Sequence, residues 1–172
     1  LRIGGRTRAT LCTVAPLVGS RLPVKISEGY LDNLLAVSLR SLPAGSIEPD
    51  CMMHWRNARE LSGYNIMNMG IWYEAMIRWV GRATRVIAMT QVNVSQRRDE
   101  DGNPIPVTVP DQVDILATLS NGAQANMRFS SVSGLAPGTE VWLYGREGTI
   151  RVDFSLNVFG GRRGQPPPSD IS

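Results

Sequence analysis

Residues 62–81, SGYNIMNMGIWYEAMIRWVG, form the longest segment of this 172-residue chain with a clear helical period. Apolar residues recur in it three, four and seven positions apart, which is the spacing of one face of an α-helix. The residues with this spacing are Ile66, Met69, Tyr73, Met76, Ile77 and Val80. We therefore predict one principal helix over 62–81 whose apolar face packs against the core.

A second stripe of the same helix carries side chains suited to a site. Asn68, Trp72, Ala75 and Trp79 follow one another four, three and four positions apart, so they point in one direction beside the apolar face. This stripe presents one amide and two indoles. We expect any functional site of the chain to lie along it.

Before the principal helix, the sequence predicts a short helix, a strand and a loop. Residues 23–32 begin with a proline suited to a first helical turn. Residues 34–41 alternate, with Leu35, Val37 and Leu39 on one side, as a strand with one buried face does. The stretch 43–51 is rich in Pro, Gly, Ser and Asp and is therefore predicted to be a loop.

After the principal helix, the sequence has the period of β-strands. Residues 84–95 are rich in β-branched side chains, and residues 96–106 contain an Asp-Gly pair typical of an exposed hairpin tip. Two further hairpins are predicted, turning at residues 121–122 and 145–148. Their inward-facing residues are predicted to be Val113, Ile115, Ala117, Leu119, Ala125, Met127, Phe129, Val141, Leu143, Ile150, Val152 and Phe154.

These elements predict an α+β domain. Its sheet is expected to be open and mainly antiparallel, with about six strands, and to carry the principal helix and one short helix on one face. Leu116, Trp142 and Tyr144 lie among polar residues on the opposite face. Such a face either stays in contact with water or forms a subunit contact.

Composition divides the chain into three parts. Residues 1–20 are interpreted as the remnant of an upstream domain or linker, and residues 21–159 as the α+β domain. Residues 160–172 are rich in Pro, Gly and Arg and are expected to form a tail that is mobile or held only by a partner. A signal peptide is a second interpretation of residues 1–20. Pro16 interrupts the apolar run that such a peptide requires, which favours the remnant or linker.

Composition also limits the classes of function. The formal net charge is +3, and no aromatic residues are interleaved with the arginines near the start, so we expect no nucleic-acid partner. No apolar run approaches the ~20 residues of a membrane span. His54 is the only histidine, and Cys12 and Cys51 lack metal-ligand spacing, so we expect neither a metal site nor a Ser-His-Asp hydrolase. We interpret the cysteines as reduced thiols and expect a cytoplasmic protein.

The order of these parts resembles the C-terminal domain of the Gfo/Idh/MocA oxidoreductases, the family of glucose-fructose oxidoreductase and inositol dehydrogenase. The resemblance covers residues 20–155 and rests on EGYLDNLLAV, on the principal helix, and on the NGA and REGTI turns. Its most specific part is the helix, where the family commonly shows G-x-x-x-D-x-G-x-H-x-x-D. In this chain Gly63 is followed by Asn68, Gly70 and Trp72, with Ala75 at the position of the second aspartate.

The resemblance implies a two-domain enzyme. In this family an N-terminal Rossmann domain binds NAD or NADP, and the C-terminal domain supplies substrate contacts and the oligomer interface. This chain has no G-x-G-x-x-G fingerprint, so we expect the cofactor to be bound by a domain absent from it, and we expect no activity from the chain alone.

We therefore interpret the chain as the substrate-binding and oligomerisation domain of an NAD(P)-dependent oxidoreductase acting on a sugar, cyclitol or related hydroxyl compound. Its expected partners are a small-molecule substrate, the Rossmann domain of the same protein and further copies of the chain, bound through the open sheet face. The alternative is a non-catalytic dimerisation or partner-binding module derived from such a domain.

Candidate site residues follow from the helix motif. Asn68 and Trp72 occupy the family's Asp and His positions, and neither can relay a proton near neutral pH, so we assign no catalytic residue. They are interpreted either as lining a substrate-side cleft or as structural residues. His54, Trp55 and Arg56 precede the helix and are candidates to share that cleft. Arg56 is interpreted as a ligand for an anionic group or as a solvated side chain.

Overall fold

The computed structural model describes residues 22–43, 45, 47–48, 50–64, 69–136, 138–166 and 169–171. These residues form a large sheet, a small two-stranded sheet, three α-helices and one 3₁₀ turn. In chain order the elements are α1 Leu22–Ser27, β1 Leu34–Leu42, the 3₁₀ turn Trp55–Asn57, α2 Arg59–Ser62, α3 Met69–Val80, β2 Ala83–Gln91, β3 Gln96–Arg98, β4 Pro104–Pro106, β5 Gln112–Leu119, β6 Gln124–Ser130, β7 Gly138–Gly145, β8 Gly148–Asp153, β9 Val158–Arg162 and β10 Ser169–Asp170.

The large sheet has eight strands in the order β10-β9-β8-β7-β1-β6-β5-β2. β1 lies between the two hairpins and pairs parallel with β6 and antiparallel with β7, so the sheet is mixed. The prediction of about six mainly antiparallel strands is therefore wrong. Alternation within a segment reports which face is buried, but it carries no information on which distant strand becomes the neighbour.

The two hairpins themselves are confirmed. β5 pairs with β6 across the turn at residues 121–122, and β7 pairs with β8 across residues 146–147. Every inward-facing residue predicted for them is buried except Phe154, which is exposed. Phe154 lies just beyond the end of β8 at Asp153, where the strand pairing has stopped.

The segment predicted as a tail supplies two strands at one edge of the sheet. β9 pairs antiparallel with β8 and includes residues 160–162, and β10 pairs with β9. Gly160 is buried at a point where a Cβ atom would lie 2.4 Å from Ile171 Cδ1 and 2.6 Å from Tyr30 Oη. Because glycine and proline both weaken the sequence pattern of a strand, composition alone did not reveal this edge.

The principal helix is shorter than predicted and buries a different stripe. α2 ends at Ser62, its C-cap Gly63 has a φ of 63° that suits glycine, and α3 spans Met69–Val80. The predicted core residue Ile66 and the candidate Asn68 lie outside the described residues. The buried residues of α3 are Trp72, Ala75, Met76, Trp79 and Val80.

This burial corrects the predicted orientation of the helix. Tyr73 and Ile77 were expected on the buried face but are only half buried, whereas both indoles lie in the core. Indoles present a larger apolar area than the other side chains of this helix, so turning them inward removes more such surface from water. The half-buried Tyr73 accepts a hydrogen bond at its Oη from the backbone N–H of Ala83, at 3.2 Å.

Close backbone approaches fix the β7–β8 turn against the turn that follows α1. A Cβ atom on Gly145 would lie 2.2 Å from the carbonyl oxygen of Leu31, and one on Gly148 would lie 2.4 Å from that of Tyr30. Neither position has room for a larger residue, since the obstacle is backbone. The two glycines therefore allow the turn to dock.

The predicted hairpin tip over residues 96–106 is also confirmed, because β3 and β4 pair antiparallel around it. Asp99 closes the turn by accepting the backbone N–H of Asn103 at 2.7 Å and that of Asp101 at 3.0 Å. The hydrogen bond from the Asn103 backbone lowers the pKa of the Asp99 carboxyl, because it stabilises the charged form.

Among the described helices, none is long and apolar enough to cross a membrane.

Candidate functional site

Trp72, which the resemblance places at the family's histidine position, lies in the hydrophobic core. Its side chain is 5% exposed and belongs to the cluster that joins α3 to the sheet. This burial favours the structural interpretation of Trp72, since an indole packed on all sides offers little surface to a substrate. Its role as a substrate contact stays a prediction, as does that of Asn68, which lies outside the described residues.

His54, Trp55 and Arg56 contact one another, while their place in a cleft shared with the helix stays a prediction. The backbone N–H of Arg56 donates to Nδ1 of His54 at 3.3 Å, and the guanidinium carbon of Arg56 lies 4.5 Å from the centre of the Trp55 ring. The His54 and Trp55 rings are 5.6 Å apart. Trp55 is 48% exposed, so the cluster is an aromatic and cationic surface rather than an enclosed site.

An apolar cavity of about 270 Å³ lies between the beginning of α3 and the sheet. Its lining is Met69, Gly70, Tyr73, Ala83, Val86, Ile115, Met127 and Phe129. None of the candidates Trp72, His54, Trp55 and Arg56 lines it. The described part of the lining supplies few polar groups that could orient the hydroxyls of a sugar.

This cavity was not predicted from the sequence, because its lining residues have the pattern of a packed core. Met69 and Tyr73 share the helical period that predicts burial, and a period cannot distinguish a packed face from one that borders an empty space.

No group of three or more His, Cys, Asp or Glu side chains with the geometry of a metal site occurs in the part of the chain that the structure describes.

Side chains on the other face of the large sheet, here called the open face, range from half-buried to exposed. Strand registers place one residue from each of seven strands in a single row across it. That row is Ile87, Leu116, Asn126, Ser38, Trp142, Arg151 and Phe159. Ile87 is 76% exposed and Leu116 is 59% exposed. The predicted placement of Leu116 and Trp142 on one face is confirmed.

A neighbouring row of the open face carries charges. Its members are Asp114, Arg128, Arg40, Glu140 and Asp153, in order across the sheet. Arg128 Nε forms an ion pair with Asp114 Oδ1, and Arg151 Nε lies 3.6 Å from Glu140 Oε2. Acidic groups therefore lie at both ends of the row, and two arginines lie between them.

One protein family matches most of this chain. The model of the GFO/IDH/MocA C-terminal domain matches residues 25–151. No curated protein sequence matches the chain significantly.

Several solved structures share the fold. A structure of levoglucosan dehydrogenase, in complex with NADH and L-sorbose, is 18% identical, with a TM-score of 0.78 over 87% of this chain and 42% of that one. An NAD binding oxidoreductase from Klebsiella pneumoniae is 21% identical, with a TM-score of 0.77 over 92% of this chain and 43% of that one. A super-repressor mutant of Gal80p from Saccharomyces cerevisiae is 16% identical, with a TM-score of 0.73 over 88% of this chain and 42% of that one.

Proposed function

Because this chain belongs to the GFO/IDH/MocA C-terminal domain family, we propose that it is the substrate-side and oligomerisation domain of an NAD(P)-dependent oxidoreductase. The proposed substrate is a sugar, a cyclitol or a related hydroxyl compound. The family match carries the proposal, and the similarity to an enzyme solved with NADH and L-sorbose supports it. The chain spans 42% to 43% of the length of levoglucosan dehydrogenase and of the Klebsiella pneumoniae oxidoreductase.

The residues of this chain do not fit a dinucleotide. The sequence contains no G-x-G-x-x-G turn between a strand and a helix, which is the element that approaches a pyrophosphate closely. A nicotinamide, where bound, would accept or donate the hydride. We assign its binding to a further domain and derive no catalytic step from the residues of this chain.

A non-catalytic module is the second candidate, and the burial of Trp72 favours it. The position that the family uses for a histidine is filled here by an indole that cannot exchange a proton and is packed in the core. Similarity to Gal80p, which was solved as a super-repressor mutant, is compatible with this candidate. The sequence encoded upstream of Leu1 separates the two, since a Rossmann fingerprint there supports the oxidoreductase.

Titration of the 172-residue chain with NADH tests whether the cofactor is bound by a domain other than this one. We expect no heat of binding at micromolar concentrations, because the chain lacks the phosphate-binding turn. The positive control is an NAD-dependent dehydrogenase that retains its Rossmann domain, measured in the same buffer. Tight, saturable binding of NADH to this chain would overturn the assignment of the cofactor to another domain.

The open face supports the proposed oligomerisation. A two-fold axis parallel to the strands, between β1 and β7, would set Arg40 of one copy against Glu140 of the other and Arg128 against Asp153. The same operation would set Leu116 against Phe159. Opposite charges and apolar groups would thus meet in one isologous contact, in which each copy uses the same surface.

Leu116→Asp tests this contact. The change puts a carboxylate where the second copy presents an aromatic ring. We therefore expect the dissociation constant of the dimer to rise at least tenfold, as measured by light scattering over a concentration series. Leu61→Asp is the matched control, because Leu61 is 70% exposed on α2 and does not belong to the sheet. A wild-type chain that stays monomeric at high micromolar concentration contradicts the proposal.

A further inference from the structure

β2 is an edge strand of the large sheet, and it is much longer than the strand at the other edge. It has nine residues and ends the strand order after β5, whereas β10 has only two residues. Residues 84–91 are all exposed, including Ile87 at 76% and Met89 at 75%. Short length, prolines, bulges and charges are the features that keep an edge strand from pairing with another chain.

Within β2 such protective features are confined to its beginning. The strand contains no proline, and its only charged residue is Arg85. Its pairing with β5 is irregular only between Ala83 and Arg85. The part from residue 86 to residue 91 is therefore regular and uncharged. A long, exposed and apolar edge of this kind is a template for a further strand.

The main chain of β2 offers hydrogen-bonding groups to such a strand. The backbone N–H of Asp111 donates to the carbonyl oxygen of Gln91 at 3.0 Å, so Gln91 directs its main-chain groups toward β5. Successive residues of a regular strand direct these groups to opposite sides. Val86, Ala88 and Thr90 therefore direct their N–H and C=O groups away from the sheet. No strand among the described residues pairs with this side of β2.

Apolar side chains are exposed on both faces of β2. Val86 is paired with Ala117 on the face covered by α3, yet it is 57% exposed. Ile87 is paired with Leu116 on the open face. A partner that covered one face alone would leave one of these side chains in water. A strand that continues the sheet can cover both, because its own side chains alternate between the two faces.

We propose that β2 pairs antiparallel with β2 of a second copy, about a two-fold axis that crosses the sheet at Ile87. The axis sets Ile87 against the same residue of the second copy and Val86 against Ala88. It also sets Arg85 against Met89. The outward main-chain groups of Val86 and Ala88 then form ladder hydrogen bonds on both sides of the axis. No like charges face each other directly, and each copy uses the same surface.

The charged row of the open face favours this register. Asp114 at the end of that row is paired with Met89. Arg85 of the second copy, set against Met89, would therefore extend the row beyond Asp114. The two main chains would be two strand spacings, about 10 Å, apart. A cation of one copy thus lies near a carboxylate of the other rather than near a second cation.

This edge contact is independent of the open-face contact proposed above. Under the open-face axis, β2 of one copy lies over β10 of the other, so the two Ile87 side chains stay at opposite ends of the pair. Under the edge axis they meet. A disulfide between cysteines at position 87 therefore reports the edge contact alone, whether or not the open face also forms a contact.

The test oxidises the full 172-residue chain carrying Ile87→Cys, with Cys12→Ser and Cys51→Ser to remove the native thiols. Directly opposite residues of a non-hydrogen-bonded antiparallel pair have Cα atoms about 4.5 Å apart, which is within the range of a disulfide. We expect most of the folded chain to migrate as a disulfide-linked dimer in non-reducing electrophoresis.

Met89→Cys in the same background is the matched control, because Met89 is as exposed as Ile87 and lies on the same face of the same strand. Its two copies would lie about 13 Å apart along the strands, beyond the reach of a disulfide, so we expect at least tenfold less dimer.

Ala88→Pro, added to the Ile87→Cys chain, should abolish the crosslink. Proline removes an outward N–H of the edge and leaves the hydrogen bonds to β5 in place. Circular dichroism confirms that each variant is folded before oxidation. The proposal is overturned by a folded Ile87→Cys chain that forms no dimer, by equal crosslinking of the Met89→Cys chain, or by a crosslink that persists with Ala88→Pro.

Discussion

Replacing Trp72 with alanine is expected to lower the free energy of unfolding by about 3–5 kcal/mol. The indole is 5% exposed and packs in the core cluster beside Met76, which is fully buried. Truncation removes its apolar contacts and leaves a cavity that neighbouring side chains fill only partly. Urea unfolding followed by circular dichroism measures the change.

Trp55→Ala is the matched control for this experiment. Trp55 is 48% exposed and contacts mainly Arg56 and His54, so its loss should cost at most about 1 kcal/mol. Comparing the two variants shows whether Trp72 is a structural core residue or a cleft-lining residue. If both variants lost the same small amount of stability, Trp72 would not be a core residue, and its interpretation as a cleft-lining residue would be favoured.

The burial of Trp72 shows what the sequence could predict about α3 and what it could not. The helical period of residues 62–81 predicted a helix, and α3 confirms it over Met69–Val80, because that period is a property of neighbouring residues. The orientation was wrong because two adjacent stripes were both apolar. Which stripe faces the sheet depends on the shapes of Trp72 and Trp79 against strands that are distant in sequence.

The strands also differ in how much of their arrangement could be predicted from the sequence. The β5–β6 and β7–β8 hairpins were predictable because turn residues and alternation are local. The parallel pairing of β1 with β6 was not, because it joins segments separated by most of the domain. Leu35 illustrates the limit: alternation predicted it beside Val37 on the buried face, but an irregularity in pairing between Leu34 and Ala36 leaves it half exposed.

The candidate site was predictable only in its parts. His54, Trp55 and Arg56 contact one another, but the sequence did not show that they form an exposed surface. The apolar cavity beside α3 was missed because its lining joins Met69 and Tyr73 of the helix to strands that are distant in sequence. Tertiary packing, rather than spacing along the chain, creates that cavity.

Asp111→Ala is expected to lower the free energy of unfolding by about 2–3 kcal/mol. Asp111 is 5% exposed, and its carboxylate accepts the backbone N–H groups of Asn93, at 2.9 and 3.0 Å, and of Val94, at 2.8 Å. It also accepts the side-chain amide of Asn93 at 2.8 Å. The N–H of Val94 is buried, so without the carboxylate it would lose its acceptor away from water. Urea unfolding followed by circular dichroism measures this change as well.

The main chain of the same residue bonds to the neighbouring strands, so the segment that its carboxylate holds is joined directly to the sheet. The backbone N–H of Asp111 donates to the carbonyl oxygen of Gln91 at the end of β2, and its own carbonyl oxygen accepts the N–H of Ser131 just after β6. Asp111→Asn is the control, because an amide keeps one acceptor oxygen and should cost about half as much. Equal losses in both variants would show that the negative charge, rather than the hydrogen bonds, fixes this edge of the sheet.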